Sequence, residues 1–463
     1  MAKYVIAGGS TLNQLCKTLT ETNISTVDKL RNFFTKTTSY LLTSIGEVLS
    51  KKQTFDKDRF IKNVVKHYTK VYESPWFKDP MQKVVDSGGY QISVGYITDY
   101  DSLYNFIDAY IDLLNHPKVG QTSSYMLSLD IVADYPIIKT LEDLKNFNEL
   151  SLQKTLENPN KDKVALVYHF INPKLEEFWW NIIEKYVLSF KHYSIGGLVA
   201  FNRSNSFPLN VYILPLLKIL RKRVDNQIYE PFIFHILGVS AFTDIALFVL
   251  FEKAVKHFYG IDVNINFDST RAIRETSIAK RFQFFYDNHL MSIDYKSSLL
   301  NQRCYKSFTN ADMIVKVLEY LSSVYGFDID IPRPLTAKDI YKDNGNGSIK
   351  KHIESLFILA SIESLQQTVN FVTPIVEDLF KAFINNDETH FEQYATYLLE
   401  VANFNKRTKS LVHKIRSLKN TLNLIALKPD YNTLKPYMLR ALEDVYDFQL
   451  FDKQRYENLA SIL

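Results

Sequence analysis

Lys83-Val-Val-Asp-Ser-Gly-Gly-Tyr-Gln91 is an apolar run that stops on an aspartate and a glycine pair. The same pattern recurs at Tyr4-Val-Ile-Ala-Gly-Gly9 and His192-Tyr-Ser-Ile-Gly-Gly197. A short β-type run followed by residues free to take positive φ predicts a strand that turns sharply towards a helix. Working outward, similar runs are expected to form strands at 4–7, 40–44, 83–86, 126–130, 164–169, 193–195, 232–237 and 263–268. Helical spacing separates them: Phe60, Ile61, Val64, Val65, Tyr68 and Val71 fall on one face, as do Leu103, Phe106, Ile107, Tyr110, Ile111 and Leu114. Further helices are expected over 174–190, 208–223 and 241–257. Eight strands alternating with helices predict an α/β fold, a parallel (β/α)8 barrel of the TIM type. A doubly wound open sheet shares that alternation and is the alternative.

Beyond Arg271 the pattern changes. Strands are expected at 282–286 and 327–331, a turn-rich loop at Asp343-Asn-Gly-Asn-Gly-Ser348, and helix thereafter. The chain therefore divides into a barrel over 1–280 and a mixed, then mainly helical, region over 281–463. Within the latter, Leu411, Val412, Ile415, Leu418 and Leu422 make an apolar face ringed by Lys406, Arg407, Lys409, Lys414, Arg416 and Lys419.

Composition excludes more than it identifies. Of 463 residues 46% are hydrophobic and 23% charged, which rules out a disordered or fibrous chain. A net charge of +4 is too small to argue for a nucleic-acid partner by itself. Two cysteines, Cys16 and Cys304, exclude a disulfide framework and a cysteine-rich zinc site. No signal-peptide pattern opens the chain. The most apolar stretch, 236–251, carries Thr243 and Asp244 and is too short to span a bilayer, so it is expected to be a strand, a turn at Gly238 and an amphipathic helix. A soluble cytoplasmic protein is expected.

Three aspartates end three of the expected strands: Asp86, Asp130 and Asp268. In Val263-Asn-Ile-Asn-Phe-Asp268, Val263, Ile265 and Phe267 share one face, and Asn264, Asn266 and Asp268 share the other. A barrel strand is ordinarily apolar on both faces, so a polar inner face marks a wet lumen or an active site. Convergent carboxylates at a barrel mouth suit glycosidic-bond chemistry, in which one attacks the anomeric carbon and the other moves protons. They also suit a metal. However, only His169 and His235 fall at strand ends, and no HxH or HExxH spacing occurs. His192 is expected to cap a strand or pack nearby. The glycine pairs allow a ligand to lie flat on backbone, and they equally serve tight βα turns. None matches a dinucleotide or Walker loop.

These segments, in order, resemble the tRNA-guanine transglycosylase superfamily over about residues 4–275. VVDSGGYQISV resembles its DSGGYQ box, HYSIGGLVAF its GGLAVGE segment, FHILGVS its YLMGVG strand, and NFDSTRAIR its nucleophile segment. YLLTSIGEVLS is similar to its LGNTYHL segment, and YVIAGGS to its first strand. The resemblance implies that Asp268 attacks C1′ of the target guanosine and that Asp86 is the general acid/base. It implies that Asp130 reads the N–H edge of the base beside Ser87 and Gly88, and that Tyr90 and Leu237 cover the two faces of the ring. Gly196, Gly197 and Leu198 would offer backbone donors.

The departures are as informative. The family's CxCxxC zinc site is missing, and Cys304 stands alone. A glutamine-bearing GIQQG segment is replaced by Val167-Tyr-His-Phe-Ile-Asn172, leaving His169 or Asn172 as substitutes. Asn202 stands where the family has a glutamate tied to an aminomethyl group on the incoming base. A zinc-free barrel with a helical appendage is most similar to the DNA-modifying branch found in phages and bacteria. That likeness implies DNA as partner, with tRNA as the alternative. It also implies a free 7-deazaguanine such as the nitrile form (preQ0), no cofactor and no metal. A non-catalytic binding paralogue is the competing class, and an accessory protein or a second copy is compatible with either. Arg271 and Arg274, just after the nucleophile, and Arg221-Lys222-Arg223 are expected to meet phosphates.

Overall fold

The computed structural model describes residues 2–38, 40–50, 54–78, 80–131, 137–169, 173–197, 213–239, 241–342, 348–401 and 408–427. Eight parallel strands close into a barrel in chain order: β1 (Lys3–Ala7), β2 (Tyr40–Ser44), β3 (Gln82–Asp86), β4 (Tyr125–Leu127), β5 (Val164–His169), β6 (His192–Gly196), β7 (Phe232–Ile236) and β8 (Val263–Ser269). β8 pairs back onto β1, with Val5 opposite Asp268. Closure leaves no sheet edge and excludes the open sheet.

The two-residue side-chain period sorts each strand between lumen and helical shell. Val5, Ala7, Tyr40, Leu42, Val84, Tyr125, Leu127, Ala165 and Val167 pack together as the luminal cluster. The opposite faces, such as Tyr4, Ile6, Leu41, Val85, Leu166 and Phe267, join the larger core beneath the helices. Burial on both faces is why these strands read as short continuous apolar runs. Several helices begin with side-chain caps that the sequence supplies. Asp56, Asp99 and Thr140 accept from the backbone N–H three residues on, opening Lys57–Tyr72, Tyr100–Asn115 and Leu141–Leu156.

The segment 236–251 forms the end of β7, a turn at Gly238 (φ 73°) and the helix Phe242–Tyr259. That helix is not amphipathic, as the sequence suggested. It is buried almost all round, because the 34-residue helix Lys351–Ile384 covers the side facing away from the barrel. No helix among the described residues is long and apolar enough to cross a membrane.

After β8 and the short helix Arg271–Ser277, an antiparallel hairpin of β9 (Arg281–Tyr286) and β10 (His289–Asp294) docks on Lys351–Ile384. Phe282 stacks on Phe357 at 4.2 Å, and the hydroxyls of Ser361 and Ser364 accept from the N–H groups of Gln283 and Phe285 at 3.0 Å. The free edge of the hairpin is thereby satisfied by helix side chains. Residues 327–331, expected to be a strand, are not one. The backbone N–H of Asp328 donates to the carbonyl of Ile24, so the segment is tied to a loop and pairs with no strand. Helices Glu388–Val401 and Thr408–Ala426 complete the described C-terminal region. Apolar packing runs unbroken from the barrel helices into it.

Candidate active site

At the C-terminal ends of the strands, β3, β5, β7 and β8 bring Asp86, His169, Leu237 and Asp268 to one rim, with Asp130 just beyond β4. Parallel register produces this layer: Ser44 lies opposite Asp86, and His169 opposite Gly196. Three of the sequence-predicted aspartates therefore share one mouth, although 182 positions separate Asp86 from Asp268 in the chain.

Asp268 is buried, and its Oδ1 is held twice. The N–H of Gly238 donates to it at 2.8 Å, and Nε2 of His235 lies 3.4 Å away. Gly238 presents that N–H because its positive φ turns the chain immediately after β7. Among the described residues Oδ2 carries no hydrogen bond, which leaves it as the oxygen free to react.

Asp86 is electrostatically different. Burial raises its carboxyl to about 6, and the neighbouring carboxylates of Asp130 and Asp268 add to that push. The Ser44 hydroxyl and the Gly88 N–H act in the opposite direction and do not cancel it. A group at that value exchanges protons readily near neutral pH, as a general acid/base must. Ser44, level with Asp86 on the neighbouring strand, was legible only as part of a weak segment. Its role depends on the inter-strand register.

Asp130 is engaged with protein. Its Oδ2 forms a short contact with Nε2 of His169, and its Oδ1 accepts from Ser87 Oγ at 3.3 Å. The His169 ring in turn lies against Gly196, where a Cβ would meet Cε1 and Nδ1 at 3.0 Å, and it sits 5.0 Å from the ring of Trp179. Among the described residues its Nδ1 is buried without a hydrogen-bond partner. Of the two substitutes proposed for the family glutamine, His169 reaches the rim, and Asn172 lies outside the described residues.

The glycines have separable tasks. Gly88 takes φ 81° and approaches Gly46 so closely that a Cβ would lie 2.9 Å from that residue's backbone. Gly89 leaves room for Asp130, whose Oδ1 would be 3.0 Å from a Cβ there. Gly197 takes φ 84°. Leu237 packs against the luminal cluster. Tyr90 lies in the short helix Gly89–Ser93. Leu198 and Asn202 fall outside the described residues, as do the side chains of Tyr90 and Arg271. Arg274 is exposed on Arg271–Ser277, the helix after β8.

For Arg223 the expectation of a phosphate contact is corrected. Arg223 is 2% exposed, lies 4.5 Å over the ring of Phe232, and donates to the Tyr193 hydroxyl and the Glu230 carbonyl at 3.1 Å. Arg221 pairs with Asp225 and Lys222 with Glu184. The contacts of Arg223 with the N-terminal ends of β6 and β7 place it at the opposite mouth, where it serves packing. His192, at the same end, accepts from the Ile233 N–H at 3.3 Å, and burial lowers its ring to about 4. Cys16 is buried and Cys304 exposed, and both are free thiols. Among the described residues no three His, Cys, Asp or Glu side chains converge as a metal site.

No known protein family and no curated protein matches the sequence. Among solved structures, a malate synthase from Haloferax volcanii, determined as its lead(II) complex, aligns with a TM-score of 0.32 and 10% identity. The alignment covers 87% of this chain and 98% of the other. A likeness that distant carries nothing about chemistry.

Proposed function

We propose that this chain exchanges guanine in DNA for a 7-deazaguanine, such as the nitrile form, through a covalent aspartyl-glycosyl intermediate. The observation that carries the reading is the pairing at one rim of two carboxylates with different properties. Asp268 has one oxygen tied down and one free, and Asp86 is raised to about 6. Oδ2 of Asp268 attacks C1′ as the C1′–N9 bond breaks, and Asp86 delivers a proton to the departing guanine. The incoming base then gives its N9 proton to Asp86 and displaces the carboxylate, so that atoms and charges return to their starting state. One base is exchanged for another, with no redox change.

The order of the DSGGYQ, GGL and FDxxxxxR segments supports this reading, and both reactive carboxylates are retained, which weighs against a non-catalytic paralogue. The missing CxCxxC segment and the helical C-terminal region favour DNA over tRNA, and Asn202 favours an incoming base without an aminomethyl group. In a duplex the target nucleotide must leave its stack to reach a barrel rim. Arg271 and Arg274, next to that rim in sequence, are suited to phosphate contacts that position the strand without reading it. Such an enzyme acts in the cytoplasm of a bacterial or phage-infected cell.

Incubation with labelled guanine and DNA or tRNA, in separate reactions, tests the proposal. Label entering DNA is the expected result. Label entering only tRNA moves the reading to the tRNA branch, and exchange into neither overturns it. Nucleoside mass spectrometry of DNA from cells supplied with preQ0 then identifies the inserted base.

A further inference from the structure

We infer that His235 is the positioning residue for Asp268, donating from Nε2 to the carboxylate oxygen that Gly238 also holds, with its tautomer fixed from inside the barrel by Tyr125 and Asn266. The inference rests on Asp268 being the attacking group. The residues involved lie on the luminal faces of β4, β7 and β8. His235 is fully buried, and its Nδ1 is 2.7 Å from the Tyr125 hydroxyl. Asn266 Nδ2 donates to that same hydroxyl at 2.8 Å.

With the phenolic oxygen accepting from Asn266, the phenolic proton is available to Nδ1 of His235. On the other side of the ring a carboxylate oxygen faces Nε2 at 3.4 Å, and a carboxylate accepts but does not donate. One neutral tautomer satisfies both ends: Nδ1 accepts from Tyr125, and Nε2 carries the proton towards Asp268. The reverse tautomer sets a lone pair against the carboxylate. The 3.4 Å separation is long, as catalytic contacts often are before substrate binds. Two N–H groups on Oδ1 restrain the carboxylate and leave Oδ2 unheld among the described residues. The luminal wall adds stiffness: the Tyr125 ring packs against those of Tyr40 and His192 at 6.4 Å and of His235 at 5.7 Å.

Two measurements on the full chain test this. In protein labelled with 15N-histidine, the signal that disappears in His235→Phe identifies His235. The expected spectrum has a protonated Nε2 and a hydrogen-bonded, unprotonated Nδ1, and Tyr125→Phe disturbs that pattern. A protonated Nδ1 with a bare Nε2 in the wild type overturns the inference. The second measurement is single-turnover formation of the protein–DNA adduct at saturating duplex. His235→Phe is expected to slow it by about 10²-fold with little change in the duplex concentration needed for saturation, the cost of losing one aimed donor. His235→Gln, which returns an N–H near the Nε2 position, should recover at least about tenfold of that loss. Wild-type adduct rates in His235→Phe overturn the assignment. Should the wild-type protein form no adduct on DNA or tRNA, the proposed reaction fails and the tautomer spectrum alone decides the role of His235.

Discussion

The two mouths of the barrel handle buried charge in opposite ways. At the N-terminal mouth the guanidinium of Arg223 is packed over Phe232 and hydrogen-bonded, and close by on the outside of β3 Lys83 lies 5.7 Å and 5.6 Å from the ring centres of Tyr68 and Tyr72. Each of these cations has an aromatic face, and Arg223 also has oxygen acceptors. At the C-terminal mouth three carboxylates converge, and among the described residues none lies within ion-pair reach of a lysine or arginine. Their partners are two histidines, two serines and backbone N–H groups. Charge that is fully matched stabilises a structure. Charge left short of counter-ions shifts its protonation equilibrium, and functional sites are commonly found where that occurs.

The largest expected difference between the mouths lies at Asp268. Asp268→Asn keeps the shape of the rim and removes the nucleophile, so adduct formation should fall by at least about 10⁴-fold with the melting temperature nearly unchanged. A persistent adduct on denaturing gels would remove Asp268 from the mechanism. At the other mouth the expected effect is on stability. Arg223→Ala should destabilise the fold by about 3 kcal/mol, since it empties a packed site and strips hydrogen bonds from Tyr193 and Glu230, while base exchange per folded molecule is retained. Urea unfolding combined with active-site titration separates the two quantities.

Asp86→Asn should act on stability with the opposite sign. The native carboxyl titrates near 6 against an ordinary 3.8, so the folded state holds an extra proton between those values. Wild-type stability therefore declines as pH rises from about 4 to about 6, and that deficit persists above the window. The Asn variant lacks the decline. It should be more stable at pH 7 by on the order of 2 kcal/mol, allowing for partial exposure, with the gain vanishing near pH 4 and exchange activity lost. Equal stability of the two proteins across pH 4–7 would show that Asp86 is not strained. The smallest expected effect belongs to Arg274→Ala. As an exposed residue it should change stability by less than about 0.5 kcal/mol, yet reduce the salt dependence of DNA binding by about one counter-ion. An unchanged slope would take Arg274 out of the interface.

Much of this architecture was legible because burial on both faces writes a strand into sequence as a short apolar run. The eight expected strands match the eight observed, with β2 and β5 correct at both ends. The errors arose where a later segment supplied the environment. Residues 236–251 predicted an amphipathic helix, and the cover from Lys351–Ile384 lies about a hundred positions away. Arg223 read as a phosphate contact because a charge run carries no record of the aromatic ring and carbonyl that await it. Similarly, nothing in the sequence ties Asp130 to His169, and that pairing becomes visible only across the β4–β5 boundary.

The sequence by itself determined the βα alternation, the polar inner face of β8 and the three aspartates at or just beyond strand ends. These are properties of local pattern: side-chain period, turn residues and the identity of the residue that ends each apolar run. Tertiary structure alone decided which oxygen of Asp268 is held, why Asp86 rises to about 6 while its neighbours face other partners, and how Tyr125 and Asn266 reach His235. Those outcomes depend on inter-strand register and on distances of a few ångströms between residues far apart in the chain. Barrel closure fixes them, and no local pattern encodes them.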